Sequence, residues 1–206
     1  MDLQTIISFL GASIALTFSP GPDNMYVLMQ SITHGKKYGI ATAFGLVLGI
    51  IIHTSLIAFG VSAIIQSSDN LFFAIKLIGA IYLLYLAYKL FRTSSEIDLD
   101  SSVVPKKKPV ELIKQGFIMN VLNPKVTIFF LAFFPAFIDI SRGNTKQQIF
   151  ILGFLFMMQA FIIFSLISVV ADKTTAFLRD NKKFSVILKW VQIMVFVGIA
   201  IFIIFS

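Results

Sequence analysis

The 206 residues are 57% hydrophobic, include 23 Phe, and carry only 13% charged residues, about half the share usual in a soluble domain. That balance excludes a soluble globular protein, because the apolar surface exceeds what a core of this size can take in, whereas a bilayer accepts it directly. The net charge of +7 does not call for nucleic acid, since the basic residues sit in connections between apolar runs, and the absence of Cys excludes disulfides, thiolate metal sites and thiol nucleophiles.

A membrane-crossing helix needs about 20 mostly apolar residues. Six runs approach that length: Ile6 to Ile32 with an interruption, Gly39 to Ile64, Leu71 to Phe91, Gly116 to Ile138, Ile149 to Ala171, and Phe184 to Phe205. Met1-Asp2-Leu3-Gln4 lacks the basic start of a signal peptide, so the first run is expected to stay in the mature chain. The fold class expected is an all-α integral membrane protein of six spans.

The first run is broken by Ser19-Pro20-Gly21-Pro22-Asp23-Asn24. Two prolines remove backbone donors, and an acid follows where hydrocarbon is expected, so a discontinuous helix is predicted here. In the second run Ala41, Gly45, Gly49 and His53 recur every four residues on one helical face. Gly45 and Gly49 form a small-xxx-small pattern suited to close helix packing, with a homodimer contact or lining of a substrate path as alternatives. His53 reads as a hydrogen-bonded core histidine, with a part in proton traffic as the alternative. The third run carries Lys76, Gly79, Tyr82, Tyr85 and Tyr88; Lys76 is expected to snorkel, and Tyr82 could offer a hydroxyl to a cavity.

Residues 92–110 are polar and contain Lys106-Lys107-Lys108, which reads as a solvated cytoplasmic linker able to touch anionic lipid. It separates two three-helix halves, 1–91 and 111–206. The fourth run is broken in turn by Asn120-Val-Leu-Asn123-Pro124-Lys125, and Pro135 and Asp139 mark its end.

With six crossings, thirteen of the 17 basic residues fall on one side, only Arg142 and Lys146 on the other, and Lys76 and Lys125 within runs. The positive-inside rule makes the thirteen-residue side cytoplasmic and puts both termini outside. Three helices per half is an odd number, so the second half enters from the opposite face, as in an inverted repeat. Interruptions at corresponding places in two such halves point to a binding site. Asp23 lies 13 residues from Lys36 and Lys125 lies 11 from Lys114. At 1.5 Å per residue both sit about 16–20 Å deep, near the middle of a core about 30 Å thick.

Charges at that depth are expensive and must face the bundle interior. One reading is a buried Asp23–Lys125 ion pair that only clips the halves together. The other is a site for a zwitterion: Asp23 accepts an α-ammonium or carries a proton, and Lys125 holds an α-carboxylate, helped by free N–H groups where a helix restarts. Asn24, Asn120 and Asn123 either orient the substrate or satisfy backbone groups freed by the prolines. There is no G-x-x-x-x-G-K-[ST] loop and no H-E-x-x-H or G-x-S-x-G, so neither an ATP-driven pump nor a hydrolase is expected, and no cofactor is called for.

The run Ser19-Pro-Gly-Pro-Asp-Asn24, the glycines at 35, 39, 45 and 49, Lys76-Leu-Ile-Gly79-Ala-Ile-Tyr82, and Asn120-Val-Leu-Asn-Pro-Lys125 with Pro135-Ala-Phe137 resemble the lysine exporter (LysE) family. The closer similarity is to its branch of homoserine, threonine and neutral amino acid exporters. That resemblance implies a bacterial plasma-membrane protein, not an enzyme, that exports amino acids or close derivatives using the proton-motive force. The residues expected around the site are Asp23, Asn24, Asn120, Asn123 and Lys125, shaped by Pro20, Gly21, Pro22 and Pro124, with His53, Tyr82, Gly45 and Gly49 along a path. Two other classes stand beside this one. They are a metal or small-ion exporter of related architecture, and a membrane scaffold in which Asp23 and Lys125 are a structural clip.

Overall fold

The computed structural model describes residues 1–19, 21–61, 69–92, 106–180 and 182–205, without the side chains at 61, 69, 72, 140, 172–180, 182–185 and 188. Pro20 and most of the linker therefore lie outside the described residues. Everything regular among those described is helical, with no strand.

Helix α1 (Leu3–Phe18) begins at Asp2, whose carboxylate accepts from the Thr5 amide at 2.7 Å. It stops at the first interruption, and α2 (Pro22–His34) leaves at a bend of 59°. Gly35, with φ of 97°, turns the chain into α3 (Lys36–Leu56), which opens into a π-helical turn over Ile57–Val61. α4 (Asp69–Arg92) completes the first half. α5 (Pro109–Val121) and α6 (Pro124–Ile128) meet at the second interruption with a bend of 49°; α7 (Thr145–Asp180) and α8 (Lys182–Phe205) follow.

Three single helices, Lys36–Gly60, Phe73–Arg92 and Thr145–Ala171, are long and apolar enough to cross a membrane. Each bent pair qualifies when taken as one span, and Lys189–Phe205 is a shorter apolar helix. Among the described residues this makes three spans, or five with each bent pair counted as one, against the six expected; the last apolar run is represented by the shorter helix Lys189–Phe205. The 36 residues of α7 reach about 54 Å, so its backbone continues well past the end of its apolar run at Ala171.

The limb after α6 departs from a simple helix. It widens to a π turn over Phe129–Phe133, tightens to a 3-10 turn over Phe134–Phe137, and ends at Ile138. Pro135 has no N–H for the α-helical bond to Leu131, so the regular ladder cannot continue through it. The change of winding lets Phe129, Phe130, Phe133 and Phe134 all be buried. Phe9 from α1 meets Phe134 and Phe137 at 5.2 and 5.3 Å, and Phe156 from α7 meets Phe129 and Phe130 at 5.5 and 5.2 Å. This aromatic cluster joins both broken helices to α7 just beside the breaks. Past its end, Asp139 accepts from the amide and hydroxyl of Ser141 and pairs with Arg142 at 2.9 Å, which marks the helix end expected there.

The glycines of α3 explain how it lies so close to α5. A Cβ on Gly45 would strike the main chain of Ile113, and one on Gly116 would come within 2.5 Å of the Thr42 carbonyl. Gly45 and Gly49 therefore serve a crossing inside the chain, and the homodimer contact suggested for that face has no room there.

Candidate transport site at the two helix breaks

The first break is a problem in backbone accounting. Pro20 and Pro22 offer no N–H to the carbonyls of Leu16 and Phe18, so α1 cannot run on. Ser19 N–H turns back to Ala15 and Leu16 instead, at 3.1 and 3.2 Å. The Thr17 carbonyl accepts from Asn24 Nδ2 at 2.8 Å, which ties the end of α1 to the start of α2. The Ser19 carbonyl accepts from the ammonium of Lys125, 106 residues away, at 3.0 Å. Gly21 is there for space: its φ of −169° suits any residue, but a Cβ would lie 3.0 Å from Lys125 Nζ.

At the second break Pro124 leaves the Asn120 carbonyl without its helical donor. That oxygen accepts from Asn123 N–H at 3.0 Å and from His53 Nε2 at 3.1 Å. The Asn123 side chain caps α6 by accepting from Lys125 N–H at 3.0 Å. His53 is thus the hydrogen-bonded core histidine expected, buried and with its ring 5.4 Å from Phe130.

The breaks face each other across a narrow cleft whose cavity volume is about 20 Å³, room for about one water, within about 320 Å³ of space that includes its open mouth. Asp23, Asn24, Asn120 and Lys125 line it together. Asp23 and Lys125 each hold the second position of a restarted helix, right after its proline, on opposite halves of the chain. Among the described residues the ion pairs within 4 Å are Arg142 with Asp2 and with Asp139, so Asp23 and Lys125 share the cleft without forming one. Four buried polar atoms at the breaks have no hydrogen-bond partner: Ser19 Oγ, Asp23 Oδ1, Asn120 Oδ1 and Asn123 Nδ2. Such atoms are costly in a low-dielectric interior; Gln30, Thr54 and Ser165 carry others, but at the breaks they gather beside a buried acid and a buried base.

Other expected residues fall elsewhere. Gly49 backs the site, since a Cβ there would press on Asn120 Oδ1 at 2.6 Å. Tyr82 does not reach the cleft: the buried stripe of α4 is Ala80, Leu83 and Ala87, and Tyr82 lies to its side with its ring 6.1 Å from that of Tyr85. Among the described residues no group of three His, Cys, Asp or Glu comes together as a metal site. Thr17 and Gln159 were not foreseen. Gln159 Nε2 donates to Thr17 Oγ1 at 3.0 Å, and Thr17 donates in turn to the Ser13 carbonyl at 2.8 Å. An uncharged amide inside the apolar run of α7 was the available signal.

The chain is similar along nearly its whole length to known bacterial proteins. A leucine efflux protein of Salmonella choleraesuis is 30% identical over 94% of this chain and 91% of its own. A leucine efflux protein of Enterobacter sp. is 29% identical over 94% and 92%. The uncharacterized membrane protein YrhP of Bacillus subtilis is 28% identical over 97% and 98%. No solved structure matches. The sequence pattern of the LysE type translocators matches residues 14–206, and with the paired breaks and apolar helices this identifies the chain as a multi-pass membrane protein of the LysE type translocator family.

Proposed function

We propose that this protein is a secondary transporter that exports amino acids or close derivatives from the bacterial cytoplasm, driven by protons, with its substrate held between the two helix breaks. The α-ammonium sits against Asp23 and the Asn120 side-chain oxygen. The α-carboxylate sits against Lys125 and the Asn123 amide. The observation that carries this reading is the cleft itself, where one acid, one base and unpartnered amide atoms meet at the junction of two broken helices. A free amino acid has the two opposite charges, close together, that such a lining requires. The leucine efflux proteins among its relatives support the same substrate class.

The proposed architecture is six crossings in two inverted three-helix halves, 1–91 and 111–206, joined by the cytoplasmic linker 92–110. Two features favour it. α3 of the first half packs on α5 of the second, and α7 of the second packs on α1 and α2 of the first, as exchange of equivalent helices requires. Contacts also join residues that six crossings put on one side. Lys106 lies over the Tyr38 ring at 5.7 Å and Lys189 donates to the Phe91 carbonyl on the basic side. On the other side Lys146 lies over Phe59 at 5.2 Å and Arg142 reaches Asp2. Both termini then face outward and the basic side faces the cytoplasm.

The test is efflux of labelled amino acids from preloaded proteoliposomes with and without an imposed proton gradient. Wild type is expected to export under the gradient. Lys125→Met should insert normally and export nothing, and Asp23→Asn should lose gradient-driven efflux. Normal export by Lys125→Met would sink the site assignment. A wild type that moves no amino acid would sink the function.

A further inference from the structure

We propose that the face of α7 formed by Phe156, Ala160 and Phe164 is the subsite for the substrate's side chain, that it selects neutral amino acids with aliphatic side chains, and that Ala160 sets their size. The inference rests on the amino acid export reading above and adds to it which side chain enters.

The cleft is sharply divided. Its polar lining comes from the two breaks, whereas α7 contributes only Phe156, Ala160 and Phe164, one stripe at four-residue spacing. Four residues rise about 6 Å, so the two rings stand about 12 Å apart along the helix with a single methyl between them. Leu16, Ile50 and Val126, from three other elements, supply the rest of the apolar lining around this notch. Phe156 cannot swing across it freely, because its ring is held among those of Phe129 and Phe130 at 5.5 and 5.2 Å.

What the notch lacks is as informative. The charges lining the cleft are Asp23 and Lys125, and the ammonium and carboxylate of an amino acid use both. A lysine or arginine side chain would enter with no counter-charge. The hydroxyl among the lining residues is that of Thr17, which accepts from Gln159 and donates its proton to the Ser13 carbonyl, so a substrate hydroxyl would meet there only the second lone pair of Thr17. Gln159, beside Ala160, donates to Thr17; its Oε1 is buried without a partner, but Gln159 is not among the residues that line the cleft. An aliphatic chain needs no such partner, and each methylene that fits or fails to fit such a pocket changes discrimination about tenfold or more.

The experiment compares efflux of labelled alanine, leucine, phenylalanine, threonine and lysine from proteoliposomes containing wild type, Ala160→Val or Ala160→Gly, each variant first shown to elute as a single species in detergent. Wild type should export leucine in preference to threonine and lysine. Ala160→Val should lower the leucine-to-alanine ratio about tenfold or more, and Ala160→Gly should raise phenylalanine relative to leucine. Ratios that stay fixed while total efflux changes would overturn the subsite and leave amino acid export standing. So would a wild-type preference for lysine or threonine. A wild type inactive on the whole panel would overturn both readings.

Discussion

Two glycines one turn apart on α3 should respond differently to the same substitution. A Cβ on Gly45 meets main-chain atoms of Ile113, with its carbonyl carbon and Cα both at 2.8 Å, and main chain cannot rotate away. A Cβ on Gly49 meets the side chain of Asn120, at 2.6 Å from Oδ1, 2.8 Å from Cβ and 3.0 Å from Cγ. Overpacking costs about 1–3 kcal/mol, against which alanine in place of glycine returns up to about 1 kcal/mol of helix propensity. With the obstacle rigid, Gly45→Ala falls near the upper end, for a net loss of about 2 kcal/mol, or about 4–8 °C in Tm for a chain of this size. For Gly49→Ala, turning Asn120 relieves the contacts with Oδ1 and Cγ but not the 2.8 Å approach to Cβ, so it loses some stability, less than Gly45→Ala whose obstacle is all main chain, and it moves an oxygen that lines the cleft. Thermal unfolding in detergent and efflux per folded molecule separate the two. Gly45→Ala should be the less stable protein and Gly49→Ala the poorer transporter. The reverse order, or full efflux from Gly49→Ala, would refute the view that Asn120 couples the helix crossing to the site.

His53→Leu should cost about 1 kcal/mol, because the Asn120 carbonyl loses one of its two donors. His53→Gln should recover most of it in the same unfolding assay, and equal stability of the two would show that the hydrogen bond is idle. Where the start of α1 meets the turn after the Phe129–Phe137 limb, hydrogen bonds from Thr5 to Asp2 and from Ser141 to Asp139, with Arg142 near both, hold these carboxyls below the usual carboxylate range. A lowered folded pKa adds stability that is complete above the unfolded value, about 3.9, and is lost as pH falls through the folded one. The Tm difference between wild type and Asp139→Asn should therefore be flat between about pH 5 and 8 and close only in stronger acid. A difference that drifts across neutral pH would contradict this.

Much of the architecture is legible in the sequence because in lipid a backbone group must find its partner within the protein. Pro20, Pro22 and Pro124 announce the carbonyls they leave behind, so both breaks can be placed, and Asp23 and Lys125 declare themselves by being charged at that depth. What the prolines cannot announce is who answers those carbonyls. His53 answers the Asn120 carbonyl across 67 residues of chain, and Lys125 reaches the Ser19 carbonyl beside the first break across 106, distances over which no local pattern operates. Gly45 and Gly49 read correctly as a close-packing face, yet the partner helix, α5, is fixed only by the fold. The winding of the Phe129–Phe137 limb and the choice of Phe156 and Phe164 as lining are hidden for a different reason. Among 23 phenylalanines, position in sequence says little about which ring faces lipid and which faces a cleft.

The resting partner of Lys125 has a thermodynamic consequence. Had its ammonium been locked to Asp23, an incoming solute would first have to break a salt bridge in a poorly solvated place. Here the ammonium leans on a neutral carbonyl, that of Ser19. That bond is charge-assisted on one side only, whereas an ammonium facing a carboxylate gains the attraction of a full opposite charge as well. A carboxylate arriving in the cleft therefore competes against a weaker acceptor, and the empty protein keeps its base satisfied at little cost to affinity. In the proposed transport cycle the Ser19 carbonyl would be a placeholder, strong enough to hold the lysine ready and weak enough to give it up.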